Sequence, residues 1–424
     1  METRIASSLR DQPGIGEAEA VLRSCVHCGF CTATCPTYLL LGDERDGPRG
    51  RIYLLKALLE TARAGEETRS HLDRCLECRA CETTCPSGVR YARLLETGRT
   101  ILDRIRPRPL HQRLFRRLLK DLLPWPSRLG PLVAAARLLR PVLPATLRRR
   151  LPPAVAPDPA PRQPRALARR MLLLEGCVQS VATPATNRAA RRVFGHLDIG
   201  LESPRQAGCC GALHHHLGDR EGARRLARRN IDAWWPRIEQ GAEAILATAS
   251  GCALFLGEYG RLLADDPHYR DKAGWVSSHL RDPAQVLADE GPALPRSAHG
   301  ARIALHTPCT LCHGLHTAAT LRELLRDLGW QLQPTADDHL CCGSAGPYSL
   351  LQPRLARRLR QRKLAALGVR DRAPGPETIV TANVGCQLHL QAGTDVPVRH
   401  WLEVLAEDID PDGGPAVDRG RAER

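Results

Sequence analysis

Sixteen of the seventeen cysteines in this chain fall into ordered groups, and thiols at fixed spacing are above all ligands for soft metals. The first group is Cys25, Cys28, Cys31 and Cys35, followed by Pro36. The second is Cys75, Cys78, Cys81 and Cys85, followed by Pro86. Both read Cys-x2-Cys-x2-Cys-x3-Cys-Pro, and the second begins fifty residues after the first. Three thiolates with two residues between neighbours wrap a loop round one face of a metal cube, each reaching a different metal atom. The fourth, after a gap of three, points away, and the proline redirects the chain behind it. Zinc sites join two cysteine pairs across a longer loop, so these compact runs fit zinc poorly.

The spacing is that of bacterial ferredoxins, in which the fourth cysteine serves the other cluster. The expected assignment is therefore crossed. Cys25, Cys28, Cys31 and Cys85 hold one [4Fe–4S] cluster, and Cys35, Cys75, Cys78 and Cys81 hold a second. Between the runs, apolar residues at 52, 54, 55, 58 and 59 recur at helical spacing, so this part is packed by helices rather than hairpins. Arg49 and Arg51 begin that helix. Two readings stay open for them: donors that raise cluster potentials, or solvated arginines at a helix start.

The second half carries an internal repeat. Its first copy has Cys177, Cys209-Cys210-Gly211 and Cys252; its second has Cys309, Cys341-Cys342-Gly343 and Cys386. The offset is 132 residues for the first three pairs and 134 for the last. In each copy an apolar strand precedes the first and the last cysteine: residues 171–176 and 244–248, then 302–306 and 378–382. A cysteine between strand and helix N-terminus lies in a positive dipole field, which predicts a lowered pKa. Glycine after each doublet permits a tight turn. The eight thiols are candidates for additional cluster or redox ligands. A labile disulfide within each doublet, and inert burial, are the competing readings. Cys312 lies outside the repeat, opposite Ser180, and reads as a bystander. His214, His215, His216, His306, His313 and His316 crowd the same stretches as polar lining or proton carriers.

Composition narrows the class. The 424 residues allow several domains. Net charge is +15 and aromatic content 4%. So few aromatics argue against stacked nucleic-acid bases. With no helix-turn-helix, zinc-finger or RNA-binding signature, no nucleic-acid partner is expected. Residues 1–20 lack a signal-peptide core, and no apolar stretch is long enough to span a bilayer. The cysteines are thus expected as metal-holding thiolates in a cytoplasmic protein. Residues 112–123 alternate Arg and Lys with Leu and Phe at helical spacing, and could touch a partner or the inner face of the cell membrane.

The expected fold class is mixed: an all-α helical ferredoxin domain followed by a duplicated α/β cysteine-rich domain. Five segments follow: 1–105 with two [4Fe–4S] clusters; 106–168, a basic helical and Pro-rich linker, extended across 152–164; 169–295 and 296–407, the two Cys-Cys-Gly domains; and 408–424, a disordered tail.

This order resembles a family that includes the iron–sulfur subunit of glycolate oxidase, the C subunit of anaerobic glycerol-3-phosphate dehydrogenase, the lactate-utilisation iron–sulfur protein and the cysteine-rich subunits of heterodisulfide reductase. The stretches Asp46 to Tyr53, Leu305 to Leu311 and Cys341 to Gly346 look most like the glycolate oxidase subunit. Heterodisulfide reductase repeats end in Cys-x-x-Cys; here Ala249 and Asn383 stand at the first of those positions, leaving four thiols per copy. The resemblance implies an electron-transfer subunit of a 2-hydroxyacid oxidoreductase, glycolate first. It would receive electrons from a flavin-containing dehydrogenase subunit, beside a second flavoprotein-like subunit, and pass them towards a quinone. Glycerol-3-phosphate or lactate oxidation, or thiol–disulfide chemistry, are the alternatives. No Gly-x-Gly-x-x-Gly follows a strand, so no flavin or nucleotide site is expected on this chain.

Overall fold

A computed structural model describes residues 2–142, 151, 167–290, 294–295, 301–369 and 374–409. The expected extended segment at 152–164 lies outside the described residues, as do residues 410–424; the last helix runs to Ile409. Helices predominate, with two small parallel sheets.

Every described element before residue 143 is helical. Three helices, Ile15–Ser24, Pro48–Thr61 and Tyr91–Ile105, build the core there. Ile52, Leu55, Leu58 and Leu59 of the second pack with Leu94, Leu95, Ile101 and Leu102 of the third. Gly98 makes the crossing close, because a Cβ there would lie 2.0 Å from Leu55 Cδ2.

The strands are β1 (Arg169–Leu174), β2 (Ile199–Glu202), β3 (Ile245–Ala247), β4 (Leu280–Arg281), β5 (Ile303–His306), β6 (Leu332–Gln333), β7 (Thr378–Thr381) and β8 (Val398–His400). Their orders are β2-β1-β3-β4 and β6-β5-β7-β8, all parallel. β1 stops two residues short of the expected end because Gly176, at φ +75°, turns the chain. In each sheet the chain reverses its direction of travel between the two central strands. The carboxyl ends of those strands flank the crevice where open α/β sheets bind ligands.

The two copies exchange their last helices. Trp401–Ile409, the end of the second copy, packs on Pro184–His196 of the first. Pro283–Asp289, the end of the first copy, packs on Ala318–Asp327 of the second. One apolar core therefore runs through both sheets, from Met171 and Phe194 to Val380 and Trp401.

The helical part docks on the repeats through polar contacts. Arg261 Nη2 donates to Glu96 at 2.9 Å, and Lys120 Nζ to Asp219 at 2.8 Å. Glu258 accepts from Arg79 at 2.9 Å and from Arg93 at 2.5 Å. Burial pushes the Glu258 pKa up, but the two arginines outweigh it and hold it at about 2. This pairing stabilises the fold fully above the ordinary value of 4.5 and is lost as pH falls from there towards about 2. Glu258→Gln is expected to cost about 1–3 kcal/mol by leaving two half-buried arginines short of a carboxylate. Anaerobic thermal melts should show a wild-type advantage that is constant above pH 5 and shrinks towards pH 3. An advantage that ignores pH would show that the carboxylate does not carry this contact.

Candidate iron–sulfur centres

Two adjacent cavities lie among the N-terminal helices. The first is lined by Cys25, Cys28, Cys31 and Cys85, and also by Cys81. The second is lined by Cys35, Cys75, Cys78 and Cys81. Each thus gathers three cysteines of one run and the fourth of the other. The loops repeat one another: His27 and Glu77, and Gly29 and Arg79, occupy matched positions fifty residues apart and all have positive φ. At Gly29, φ +87° lies in the left-handed region that glycine enters most easily.

Tyr91 lines both cavities. Its ring is buried, and its hydroxyl has no hydrogen-bond partner among the described residues. An orphaned buried hydroxyl costs about 1–3 kcal/mol. A sulfur-rich group seated beside it would supply the missing acceptor. The all-thiol donor set, the paired cavities and this hydroxyl together fit [4Fe–4S] clusters.

The two arginines differ. Arg51 is 1% exposed; its Nε donates to His71 O at 2.8 Å, its Nη2 to Thr37 Oγ1 at 3.1 Å, and its Nη1 lies 4.0 Å from Cys35 Sγ. Asp46, equally buried, meets His71 Nδ1 at 2.9 Å and Arg74 Nη1 at 2.9 Å. Arg49 instead donates to Glu44 at 2.7 Å and to the carbonyl of His27 at 3.5 Å, and lines the first cavity. Arg51 is therefore the donor beside a candidate ligand.

The repeat cysteines also converge. In the first copy the Cys177 thiol comes within hydrogen-bonding reach of Cys209, and that of Cys210 within reach of Cys209 and Cys252. In the second, Cys309 Sγ lies 3.9 Å from Cys341 Sγ, and the Cys342 thiol comes within hydrogen-bonding reach of Cys341 and Cys386. Cys252 and Cys386 sit in the first turns of helices Ser250–Leu256 and Val384–Gln391, just beyond β3 and β7. Gly211 (φ +98°) and Gly343 (φ +91°) make the turn after each doublet, and donate their N–H groups to Cys209 Sγ and Cys341 Sγ at 3.5 and 3.4 Å. None of the seventeen cysteines is in a disulfide.

At Cys177 and Cys309 the expected lowering by helix ends is not what the surroundings produce. Bonding to Cys209 and then burial push Cys177 up; bonding to Cys209 and Cys252, with burial, does the same for Cys210. Cys309, Cys341 and Cys342 are likewise raised. Only Cys209 is held low, because Cys177 and Cys210 donate to it. A dipole effect is small beside desolvation this complete. Clustered thiols of this kind are suited to a metal that displaces their remaining protons on binding. Cys312 stands apart from the sulfur pairs, and burial raises its thiol to about 12.

The second cavity adjoins the second copy. Leu76, Cys78, Cys309, Cys341 and Tyr348 belong to one packed cluster. The Tyr348 hydroxyl is also buried without a hydrogen-bond partner among the described residues. The first copy touches the same loop through His216, whose Nδ1 lies 2.9 Å from Glu77 Oε2. Burial opposes ionisation of Glu77, but Arg99 and then His216 hold it well below the usual range. Of the other histidines, His214 pairs with Asp219 at 3.0 Å, and His313 bridges Thr83 Oγ1 at 3.0 Å and the His339 carbonyl at 2.9 Å. Burial lowers His215 to about 4, so it is neutral near pH 7. Sequence reasoning missed Tyr91, Tyr348, Glu77 and Asp46, which carry no spacing signature. It set His306 beside Cys309 as polar lining or a proton carrier; the structure brings it next to Cys342 and Cys386.

Residues 21–89 match the 4Fe-4S dicluster domain family, and residues 171–257 and 303–391 match the cysteine-rich domain family. The chain is similar to the glycolate oxidase iron-sulfur subunit of Escherichia coli (strain K12): 48% identity over 97% of this chain and 100% of that protein. It is 32% identical to the probable glycolate oxidase iron-sulfur subunit of Bacillus subtilis (strain 168), covering 89% and 90% of the two chains. With one subunit of the anaerobic glycerol-3-phosphate dehydrogenase of Escherichia coli (strain K12) it shares 26% identity over 91% and 98%. Sulfur-lined cavities, duplicated cysteine cradles and full-length similarity agree: the chain belongs to the glycolate oxidase iron–sulfur subunit family.

Proposed function

We propose that this chain is the electron-transfer subunit of a glycolate-oxidising complex, taking electrons from a flavin-containing subunit and passing them towards a quinone-type acceptor. The observation that carries the reading is the row of sulfur sites: two cavities sharing Cys81 and Tyr91, the second packed against Cys309 and Cys341. Two [4Fe–4S] clusters, when bound, supply one-electron chemistry; the chain's task is to hold and tune them. Cys25, Cys28, Cys31 and Cys85 would hold one, and Cys35, Cys75, Cys78 and Cys81 the other. Arg51 already lies beside Cys35 Sγ, and the Tyr91 hydroxyl would donate to the bound clusters. The cysteines of the two repeats are further ligand sets. At one end the row reaches the surface, where Cys28 is exposed between exposed Val26 and Phe30. That rim suits docking of a partner protein, and a second flavoprotein-like subunit would complete the complex.

Two measurements test this. The first is which cysteines act together. Cys35→Ala and Cys75→Ala should abolish the same paramagnetic centre, and Cys25→Ala and Cys85→Ala the other, each losing about four irons per chain. If Cys35 instead grouped with Cys25, the crossed assignment would fail. The second is anaerobic reduction of the chain by its flavin partner, expected with glycolate and not with glycerol-3-phosphate or lactate. Reduction with glycerol-3-phosphate alone would move the subunit to the alternative complex.

A second reading concerns position in the cell. No described helix is long and apolar enough to cross a membrane. The helix Leu110–Leu122, however, exposes Leu110, Leu114, Phe115 and Leu118 beside exposed Arg113 and Arg117. Its other face is anchored: Leu119 is buried, and Arg108, just before it, pairs with Asp73 at 2.5 Å. A basic helix with an unpartnered apolar line suits an anionic membrane surface. Replacing Leu110, Leu114 and Leu118 with Gln spares the anchored face. It should reduce co-sedimentation with anionic vesicles at least about tenfold; unchanged partitioning would remove the membrane contact.

A further inference from the structure

The two repeats offer matched thiols in unmatched surroundings. β1 ends at Leu174 and β5 at His306, each three residues before the first cysteine of its copy. The neighbouring central strand places Ala247 beside Leu174 in the first copy and Thr381 beside His306 in the second. Two residues further on, Ala249 is matched by Asn383. Three apolar positions of the first cradle are thus polar in the second. In the first, Leu174 and Ala247 pack with Cys210 in an apolar cluster. In the second, ligand atoms of His306, Cys342 and Cys386 lie within 4.8 Å of one another, and all three residues are buried.

The polar residues are arranged around the sulfurs. His306 Nδ1 is engaged by Thr381 Oγ1 at 2.9 Å, which fixes the ring and leaves Nε2 as the nitrogen able to bind. Asn383 Nδ2 donates to Cys386 Sγ at 3.4 Å. His306 is 1% exposed, so an imidazole stands here at full desolvation cost where the first copy uses leucine. Buried imidazoles held by a second residue beside two thiols make a Cys/His metal site.

We propose that His306 is a metal ligand of the centre held by the second repeat, together with Cys342 and Cys386, whereas the first repeat has Leu174 at the matched position. This rests on the reading that the repeats hold metal. A neutral imidazole donates less charge than a thiolate, and histidine ligation raises the potential of an iron–sulfur centre. The two repeats would then differ in potential although their thiols match, making the second the better electron acceptor.

The test uses the full chain reconstituted anaerobically with iron and sulfide, labelled with 15N-histidine, and examined by pulsed EPR across a redox titration. Iron and sulfide are counted in parallel. The wild type should show a histidine nitrogen coupled to one centre. His306→Gln should abolish that coupling and lower that centre's potential, and Cys386→Ala should lose the centre with its iron. If Cys386→Ala loses iron but the wild type shows no coupled nitrogen, histidine ligation is wrong and the repeat still holds a centre. If Cys386→Ala keeps all its iron, the repeat holds no centre and both readings fall. The wild-type spectrum decides the first point even where His306→Gln does not fold.

Discussion

The fourth cysteine of each N-terminal run lines the cavity of the other run, and the rest of the molecule is built round that exchange. Neither run can complete a four-sulfur cavity alone, so Cys35 and Cys85 must be brought across by the helices between and after them. The close crossing at Leu55 and Gly98 does this for the helix pair. The buried group of Arg51, Asp46 and His71 does it locally, clamping the chain beside Cys35. Breaking either would separate sulfurs that are forty or more residues apart in sequence.

The repeats solve a similar problem with different means. Short parallel strands place the first and last cysteine of each copy beyond the carboxyl ends of the two central strands, and the glycine-turned doublet closes the cradle from a loop. Exchange of the final helices ties both cradles to one core, so their separation is fixed by packing and not by a linker. A scaffold fixed this way can carry different residues at matched positions without moving the sulfurs. That is how leucine and alanine in one copy can face histidine and threonine in the other.

Local pattern made much of this legible. The two cysteine runs and the duplicated doublets are spacing signals, and helical packing between the runs follows from residues 52 to 59. The apolar strands before Cys177, Cys252, Cys309 and Cys386 were readable to within one or two residues. What depends on distant parts of the chain was not. Arg49 and Arg51 are alike in sequence, yet burial separates a half-exposed partner of Glu44 at the first cavity from the fully buried donor beside Cys35. The helix exchange has no sequence signature. The Cys177 and Cys309 thiols were read in the wrong direction because dipoles are local and visible, whereas sulfur–sulfur hydrogen bonds and desolvation belong to the finished core. His306 could have been found sooner: aligning the whole repeat, not only its cysteines, sets it against Leu174.

The contact between the helical part and the repeats shows how charge and apolar packing divide the work. Glu77 sits between Cys75 and Cys78 with a left-handed backbone, and its own N–H points to Cys75 Sγ at 3.5 Å. Its carboxylate is held by Arg99 from one side and by His216 of the first repeat from the other. Burial works against that carboxylate, so the net stabilisation from this joint is modest. Cohesion comes instead from apolar contact, with Leu76 packed against Tyr348, Ala356 and Leu359 of the second repeat. Apolar surfaces can slide; a carboxylate with two fixed partners cannot, because every displacement leaves a buried charge unpaired. Electron tunnelling falls off steeply with distance, so a protein that carries electrons between sites needs fixed register more than added affinity. Glu77 supplies register at the loop that both repeats touch.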